Sequence, residues 1–255
     1  MKINEIETPA LILDKQTFEY NLKRMDQLLE GTTMKLRPHY KSNKCAEIAK
    51  LQIKRGAAGI TCAKLGEAED LAKAGIENIL IANQVVQPSK VKRVAELAKD
   101  RYIIICVDDK DNIKALSDAA VEAGSQIHVL VEYEVGMKRC GVDTYDEFIE
   151  LAELIDKSEG LIFEGIQAYG GHMAHEHSLE TRIAETNRIE NEVRELKALL
   201  EAKGLKVKEV GGGSTGTIEQ KAKDTVYLYL RSELDQTTVT SAAAFTMSSL
   251  ASSFP

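Results

Sequence analysis

Residues 102–132 read YIIICVDDKDNIKALSDAAVEAGSQIHVLVE, in which a helical pattern lies between two short apolar runs. The runs Tyr102–Val107 and Gln126–Glu132 are continuous rather than alternating, as in parallel strands that are buried on both faces. The segment between them, Lys110–Ala123, has the spacing of an amphipathic helix and precedes Gly124, a typical C-terminal cap. This stretch therefore predicts one strand–helix–strand unit of a parallel α/β fold.

The same alternation extends over most of the chain. Further strands are predicted at Ala10–Leu13, Met34–Arg37, Ala58–Ala63, Asn78–Ala82, Ile162–Tyr169 and Val207–Val210. Further helices are predicted at Lys15–Leu29, Cys45–Arg55, Leu65–Ala74, Pro88–Lys99, Tyr145–Lys157 and Leu179–Ala202. A sustained alternation of this kind favours an α/β fold of the (β/α)8 TIM-type barrel class, with a doubly wound sheet as the alternative.

Composition excludes several classes of function. The 255 residues, 44% of them hydrophobic, suffice for one α/β barrel, and the net charge of −7 argues against nucleic-acid or anionic-membrane binding. The four cysteines are far apart and include no Cys-x-x-Cys, so neither a disulfide framework nor a cysteine zinc site is indicated. Neither a signal peptide nor a membrane-spanning apolar run is recognisable, and we expect a cytoplasmic protein.

Residues 224–255 do not follow the alternation. The segment Thr237–Pro255 carries no charge and has no clear helical or strand period, so no element is predicted there. We expect a barrel over residues 1–223, followed by an atypical tail over residues 224–255. One hypothesis is that a change of reading frame before Tyr229 produced this tail, which the gene sequence across the junction would decide.

Polar groups follow several of the predicted strands, at the position where barrel enzymes carry their catalytic side chains. Residues 37–44 contain Lys41, an amine that a partly buried site turns into a nucleophile towards a carbonyl. Residues 132–142 place Arg139 between two glycines, where its guanidinium is available to an oxyanion or a phenolate. The ordinary alternative for both segments is a solvated surface loop.

Two further groups follow later strands. Residues 165–177 contain His172, His175 and His177, a set that fits a metal site or a general base. Residues 211–217 combine glycines with hydroxyl side chains, which makes either a phosphate-binding cup or a flexible linker. An amine, an arginine, histidines and a phosphate cup together favour pyridoxal phosphate as the cofactor.

These motifs resemble the fold-type III pyridoxal-phosphate enzymes of the D-threonine aldolase and D-serine dehydratase group, which share an alanine-racemase-like N-terminal barrel. The matching stretches, in family order, are Thr8–Asp14, Leu36–Ser42, Gly66–Glu69, Arg139–Val142, Gln167–Tyr169 and Gly211–Thr217. Two positions depart from the pattern: Asn43 stands where the family usually has histidine, and Ala174 stands where the aldolases commonly have glutamine.

The resemblance implies a role for each matching residue. Lys41 would hold the cofactor as a Schiff base, Arg139 would lie against the phenolate oxygen, and Tyr169 would lie beside the ring. His175, six residues after the tyrosine, would be the catalytic base. The residues implied to bind the phosphate are Gly213, Ser214, Thr215, Gly216 and Thr217.

The resemblance also implies an activity. It is a lyase reaction on D-β-hydroxy-amino acids that cleaves D-threonine to glycine and acetaldehyde; the alternatives are a D-serine dehydratase-like ammonia-lyase and a non-catalytic cofactor-binding barrel. The resemblance also bears on the domain organisation. Full-length relatives carry a second, β-rich domain with a divalent-metal site, and the ligands of that metal are not found after Thr217. In the family the segment that corresponds to Ala10–Leu13 pairs with that domain, so we expect an incomplete barrel of seven strands.

A D-amino acid is the expected partner, and a homodimer is compatible with the resemblance.

Overall fold

A computed structural model describes residues 5–8, 10, 12–213, 227 and 229–230. The chain divides into two units, with a boundary after Glu30. In the first unit, helix α1 (Lys15–Leu29) begins where the Asp14 side chain accepts a hydrogen bond from the Thr17 N–H, at 2.7 Å. The predicted strand Ala10–Leu13 is wrong, because its described residues, 10, 12 and 13, form irregular backbone that leads into this helix cap.

The second unit alternates strands and helices. In chain order these are β1 (Lys35–Leu36), α2 (Ala46–Lys54), β2 (Ile60–Cys62), α3 (Leu65–Lys73), β3 (Asn78–Ile81), α4 (Pro88–Leu97), β4 (Tyr102–Val107), α5 (Lys110–Ala123), β5 (Ile127–Glu132), α6 (Tyr145–Lys157), β6 (Leu161–Ala168), α7 (Leu179–Ala202), β7 (Glu209–Gly212) and β8 (Tyr229–Leu230). The predicted bounds of β4, α5, α6 and α7 are confirmed. Over the part of the chain that the structure describes, no helix has the length and apolar character to span a bilayer.

All eight strands pair in parallel in one sheet, in the order β1-β8-β7-β6-β5-β4-β3-β2. The two ends of this order meet, because the Tyr40 N–H donates to the Thr61 carbonyl and the Thr61 N–H donates to the Pro38 carbonyl, both at 2.7 Å. The predicted α/β barrel is therefore confirmed, with β1 and β8 reduced to two residues each. The expectation of seven strands is corrected, because β8 pairs with both β7 and β1.

Strand β4 shows why the predicted strands are continuously apolar. Ile103, Ile105 and Val107 belong to the large core that the sheet forms with the helices, whereas the alternate residues lie on the other face of the sheet. A separate small cluster on that inner face contains Leu80, Ile104, Cys106 and Leu130. Both faces of the strand are buried, so its side chains are apolar on both faces.

A polar cluster lies near the amino-terminal ends of β4, β5 and β6. The buried Glu164 carboxylate accepts hydrogen bonds from His128 Nδ1 at 2.6 Å and from Lys208 Nζ at 3.2 Å. The Tyr102 ring stacks on His128 with the ring centres 3.8 Å apart. Burial alone would raise the pKa of Glu164, but the hydrogen bonds from His128 and Lys208 outweigh burial, and the pKa lies below its ordinary value. The ionised carboxylate is thus the stable form in the folded chain.

This lowered pKa predicts how stability depends on pH. The ionised Glu164 stabilises the fold at pH values above its unfolded pKa, about 4.3, and the stabilisation is lost as pH falls through the lower folded pKa. We expect Glu164→Gln to lower the free energy of unfolding at pH 7 by about 1–3 kcal/mol, since it removes the anion that pairs with His128 and Lys208. We also expect a flatter loss of stability below about pH 4.3. Denaturant unfolding at several pH values measures both effects.

The exposed Glu159 provides a matched control, and Glu159→Gln should leave the curve close to that of the wild-type chain. An identical pH dependence for Glu164→Gln and the wild-type chain would contradict this account of the cluster.

Candidate active site at the carboxyl-terminal rim of the barrel

The predicted site residues follow strands that are consecutive in the sheet. Lys41 follows β1, Arg139 follows β5, Tyr169 follows β6 and Gly213 follows β7. Strands β1, β8, β7, β6 and β5 are parallel neighbours, so these residues lie along one arc of the carboxyl-terminal rim. This rim is where barrel enzymes build their active sites.

Lys41 lies in a turn that local hydrogen bonds define. Its backbone N–H donates to Nδ1 of the buried His39 at 3.2 Å. Two residues further on, Asn43 Oδ1 accepts a hydrogen bond from the Cys45 N–H at 2.8 Å, just before α2 begins. Asn43, the departure from the family pattern, therefore shapes the approach to this helix. The Lys41 side chain is exposed at the rim.

The segment that carries Arg139 is also fixed by hydrogen bonds. The Glu134 carboxylate accepts from the backbone N–H groups of Gly136 and Arg139, and the Gly141 N–H donates to Asp108 Oδ2 at 2.8 Å. The central carbon of the Arg139 guanidinium lies 5.9 Å from the centre of the Tyr169 ring, within cation–π distance. The structure thus brings together two residues that the family resemblance assigns to one cofactor.

The Tyr169 ring rests directly on the backbone that follows β6. A Cβ atom added to Gly171 would lie 2.4 Å from Tyr169 Cε1, closer than real Cβ contacts allow. Gly171–His175 then form a 3-10 turn in which Met173 is buried and His175 is exposed. The buried methionine fixes the turn and leaves the His175 imidazole at the surface of the rim.

His175 lines a cleft of about 340 Å³. The described residues that line it are His172, Met173, His175, Glu176, Thr181 and Glu185. His172 Nε2 lies 3.6 Å from Glu185 Oε1, and the hydrogen bond from Arg188 holds the pKa of Glu185 below its usual value. Within the described ranges, no three His, Cys, Asp or Glu side chains are placed to share a metal ion. The cleft therefore offers imidazole and carboxylate groups for proton transfer.

The end of β7 approaches β6 very closely. Gly211 pairs with Gln167 and Gly212 with Ala168, and a Cβ atom added to Gly212 would lie 2.1 Å from the Ala168 carbonyl oxygen. Glycine is required here because any side chain would push the two strands apart. The predicted phosphate residues that follow Gly213, namely Ser214, Thr215, Gly216 and Thr217, lie outside the described residues.

The Gln167 amide shows whether this rim has polar groups for a ring-shaped polar cofactor. Its side chain is fully buried, and in the structure neither the amide nitrogen nor the amide oxygen has a hydrogen-bond partner. A buried polar group left without a partner costs about 1–3 kcal/mol, so such groups are retained where a ligand completes them. A Cβ atom added to the neighbouring Gly211 would lie 3.0 Å from Gln167 Oε1, which shows that a side chain there would crowd this amide. The residues present therefore fit pyridoxal phosphate.

Gln167 lies within a matching motif but is not among the residues that the sequence predicts for the site. Side chains alternate along a strand, so Gln167 lies on the same face of the sheet as Tyr169, two residues later. This two-residue period is the signal in the sequence that could have identified Gln167 as a site residue.

Comparison with known proteins identifies the family. Residues 13–231 match the family model described as the N-terminal domain of alanine racemase. The chain belongs to this family.

The chain is also similar to individual proteins. The chain is 38% identical to a 3-hydroxy-D-aspartate aldolase of Paracoccus denitrificans over 89% of this chain and 59% of the relative. It is also 38% identical to a D-threonine aldolase of Arthrobacter sp. over 89% of this chain and 60% of the relative. The crystal structure of a D-threonine aldolase from Filomicrobium marinum superposes with a TM-score of 0.88 at 38% identity, covering 91% of this chain and 63% of that one. The chain thus spans about three-fifths of the length of these relatives.

The contact between Tyr169 and Gly171 generates a prediction. We expect Gly171→Ala to displace the Tyr169 ring and to weaken binding of pyridoxal phosphate about tenfold, which corresponds to the loss of one modest contact. Gly170→Ala is the matched control, because the nearest atom to a Cβ at that position is 3.6 Å away, an ordinary contact. Titration of cofactor-free protein, followed by visible absorbance, measures both affinities. Equal affinities for the two variants would contradict the assigned role of Tyr169.

Proposed function

We propose that this chain carries the cofactor-binding barrel of a pyridoxal-phosphate-dependent lyase that acts on D-β-hydroxy-amino acids. The proposed reaction is the retro-aldol cleavage of D-threonine to glycine and acetaldehyde. The observation that carries the proposal is the placement of Arg139 over Tyr169, with His175 exposed on the turn that follows the same strand. Membership of the alanine racemase N-terminal domain family and the names of the two aldolase relatives support it.

Each rim residue has a part in holding the cofactor. Lys41 Nζ would bind its aldehyde carbon, Arg139 would face the phenolate oxygen, and Tyr169 would pack beside the ring. Residues 213–217 would bind the phosphate through backbone N–H and hydroxyl groups. When bound, pyridoxal phosphate supplies an electron-accepting ring that stabilises negative charge at the α-carbon of an amino acid.

His175 has the chemistry to start the cleavage. An imidazole accepts a proton near neutral pH, and removal of the β-hydroxyl proton allows the oxygen to form the carbonyl of acetaldehyde as the Cα–Cβ bond breaks. The α-carbon then receives a proton, so that glycine is the second product. The cleft beside His175 provides space for the β-substituent.

A second reaction is favoured by other relatives. The chain is 30% identical, over 58% of its length, to a D-threo-3-hydroxyaspartate dehydratase of Delftia sp.. It is also 26% identical, over 67% of its length, to a D-serine dehydratase of Dictyostelium discoideum. In a dehydration the β-hydroxyl leaves as water, so the base at His175 would not remove the hydroxyl proton. The product therefore separates the two reactions, because cleavage of D-threonine releases acetaldehyde whereas dehydration releases a 2-oxo acid.

The experiment measures acetaldehyde release from D-threonine by the purified protein, with and without added Mn²⁺. We expect His175→Ala to reduce the rate about 10²–10⁴-fold while cofactor absorbance is retained, because a positioned base contributes this much. The exposed His177 provides the control, and His177→Ala should retain the wild-type rate.

Two results would contradict the aldolase proposal. One is release of pyruvate from D-serine without acetaldehyde from D-threonine, which indicates dehydration. The other is cofactor binding with no product from either amino acid, which indicates a cofactor-carrying barrel without turnover.

A further inference from the structure

Arg188 on α7 makes contacts that exceed an ordinary helix-surface ion pair. Its Nε and Nη2 donate to the two carboxylate oxygens of Glu185 at 2.8 and 2.6 Å, and Nη1 donates to Glu192 at 2.6 Å. Nη2 also donates to the Val135 carbonyl at 3.0 Å, 53 residues away in the chain. A planar guanidinium with several donors holds three partners in fixed directions, which an ammonium group does not.

These contacts reach both segments that carry the proposed chemistry. Val135 precedes Gly136 in the segment that leads to Arg139. Gly136 packs against the His172 ring, since a Cβ atom added there would lie 2.8 Å from both Cε1 and Nε2 of the histidine. The same His172 lies 3.6 Å from Glu185, the carboxylate that Arg188 holds.

We propose that Arg188 is a positioning residue that holds the Arg139 segment and the His175 turn in one arrangement. Arg188 contacts the Arg139 segment through the Val135 carbonyl, and it acts on the His175 turn through Glu185 and His172. The catalytic consequence of this inference rests on the proposed function, whereas its structural content does not. The contact with Val135 decides against a role confined to helix stabilisation, because Glu185 and Glu192 alone would serve that purpose.

The first test is hydrogen exchange in the purified chain. We expect Arg188→Ala to accelerate exchange about tenfold in residues 133–142 and 171–176, because local opening no longer has to break the guanidinium contacts. Arg188→Lys should restore protection only in part, since one ammonium group replaces a four-contact fork. Lys197→Ala is the control, because Lys197 pairs with Glu201 four residues along the same helix. Unchanged exchange in Arg188→Ala would overturn the proposal.

The second test separates positioning from general stability. With D-threonine and pyridoxal phosphate, we expect Arg188→Ala to reduce kcat about tenfold with a smaller change in KM, since misplaced groups slow the chemical step. The visible absorbance maximum of the bound cofactor should shift, as the contact between Arg139 and the phenolate oxygen weakens. A decrease in kcat equal to that in Lys197→Ala, without a shift of the cofactor absorbance maximum, would contradict the positioning role. If the wild-type chain binds no cofactor, the proposed function fails while hydrogen exchange still decides the contact.

Discussion

The buried ion pair between Arg37 and Glu209 holds the two halves of the site together. Arg37 follows β1, Glu209 begins β7, and Nη2 of the arginine donates to Oε2 of the glutamate at 3.0 Å. Among the residues that the structure describes, the two residues of β8 pair with both β1 and β7, and the ion pair adds a side-chain contact between the same two strands. Removal of one partner of such a pair typically costs about 3–5 kcal/mol, because the other charge stays buried. The position of Lys41 relative to β5, β6 and β7 therefore depends on this pair.

The pattern of apolar residues predicted the helices better than the ends of the strands. α5, α6 and α7 have the predicted bounds because their amphipathic spacing and caps are local properties. Strand β7 was placed too early, at Val207–Val210, because the glycines that follow suggest a loop. Those glycines instead continue the parallel pairing with β6, since only residues without a side chain fit against Ala168. A close approach of two backbones depends on the partner strand, which is distant in sequence.

The candidate site also contains residues that the sequence predicts and residues that only the structure identifies. Reactive residue types that follow recognisable strands and match a family motif predict Lys41, Arg139, Tyr169 and His175 as site residues, and the structure brings Arg139 and Tyr169 together. Arg188 and its partners could not be predicted in this way, since their contacts join a helix surface to a loop 53 residues away. On the sequence alone, that helix face has the charge pattern of an ordinary solvated helix. Tertiary packing gives these charges their proposed positioning role.

The proposed cofactor chemistry depends most directly on the amine of Lys41. Incubation of the purified chain with pyridoxal phosphate, borohydride reduction and peptide mass spectrometry should locate a stable cofactor adduct on Lys41, with visible absorbance that disappears on reduction. Lys41→Ala should carry no adduct at all. An unmodified Lys41 peptide in the wild-type chain, or labelling of Lys44 instead, would contradict the proposed role of Lys41.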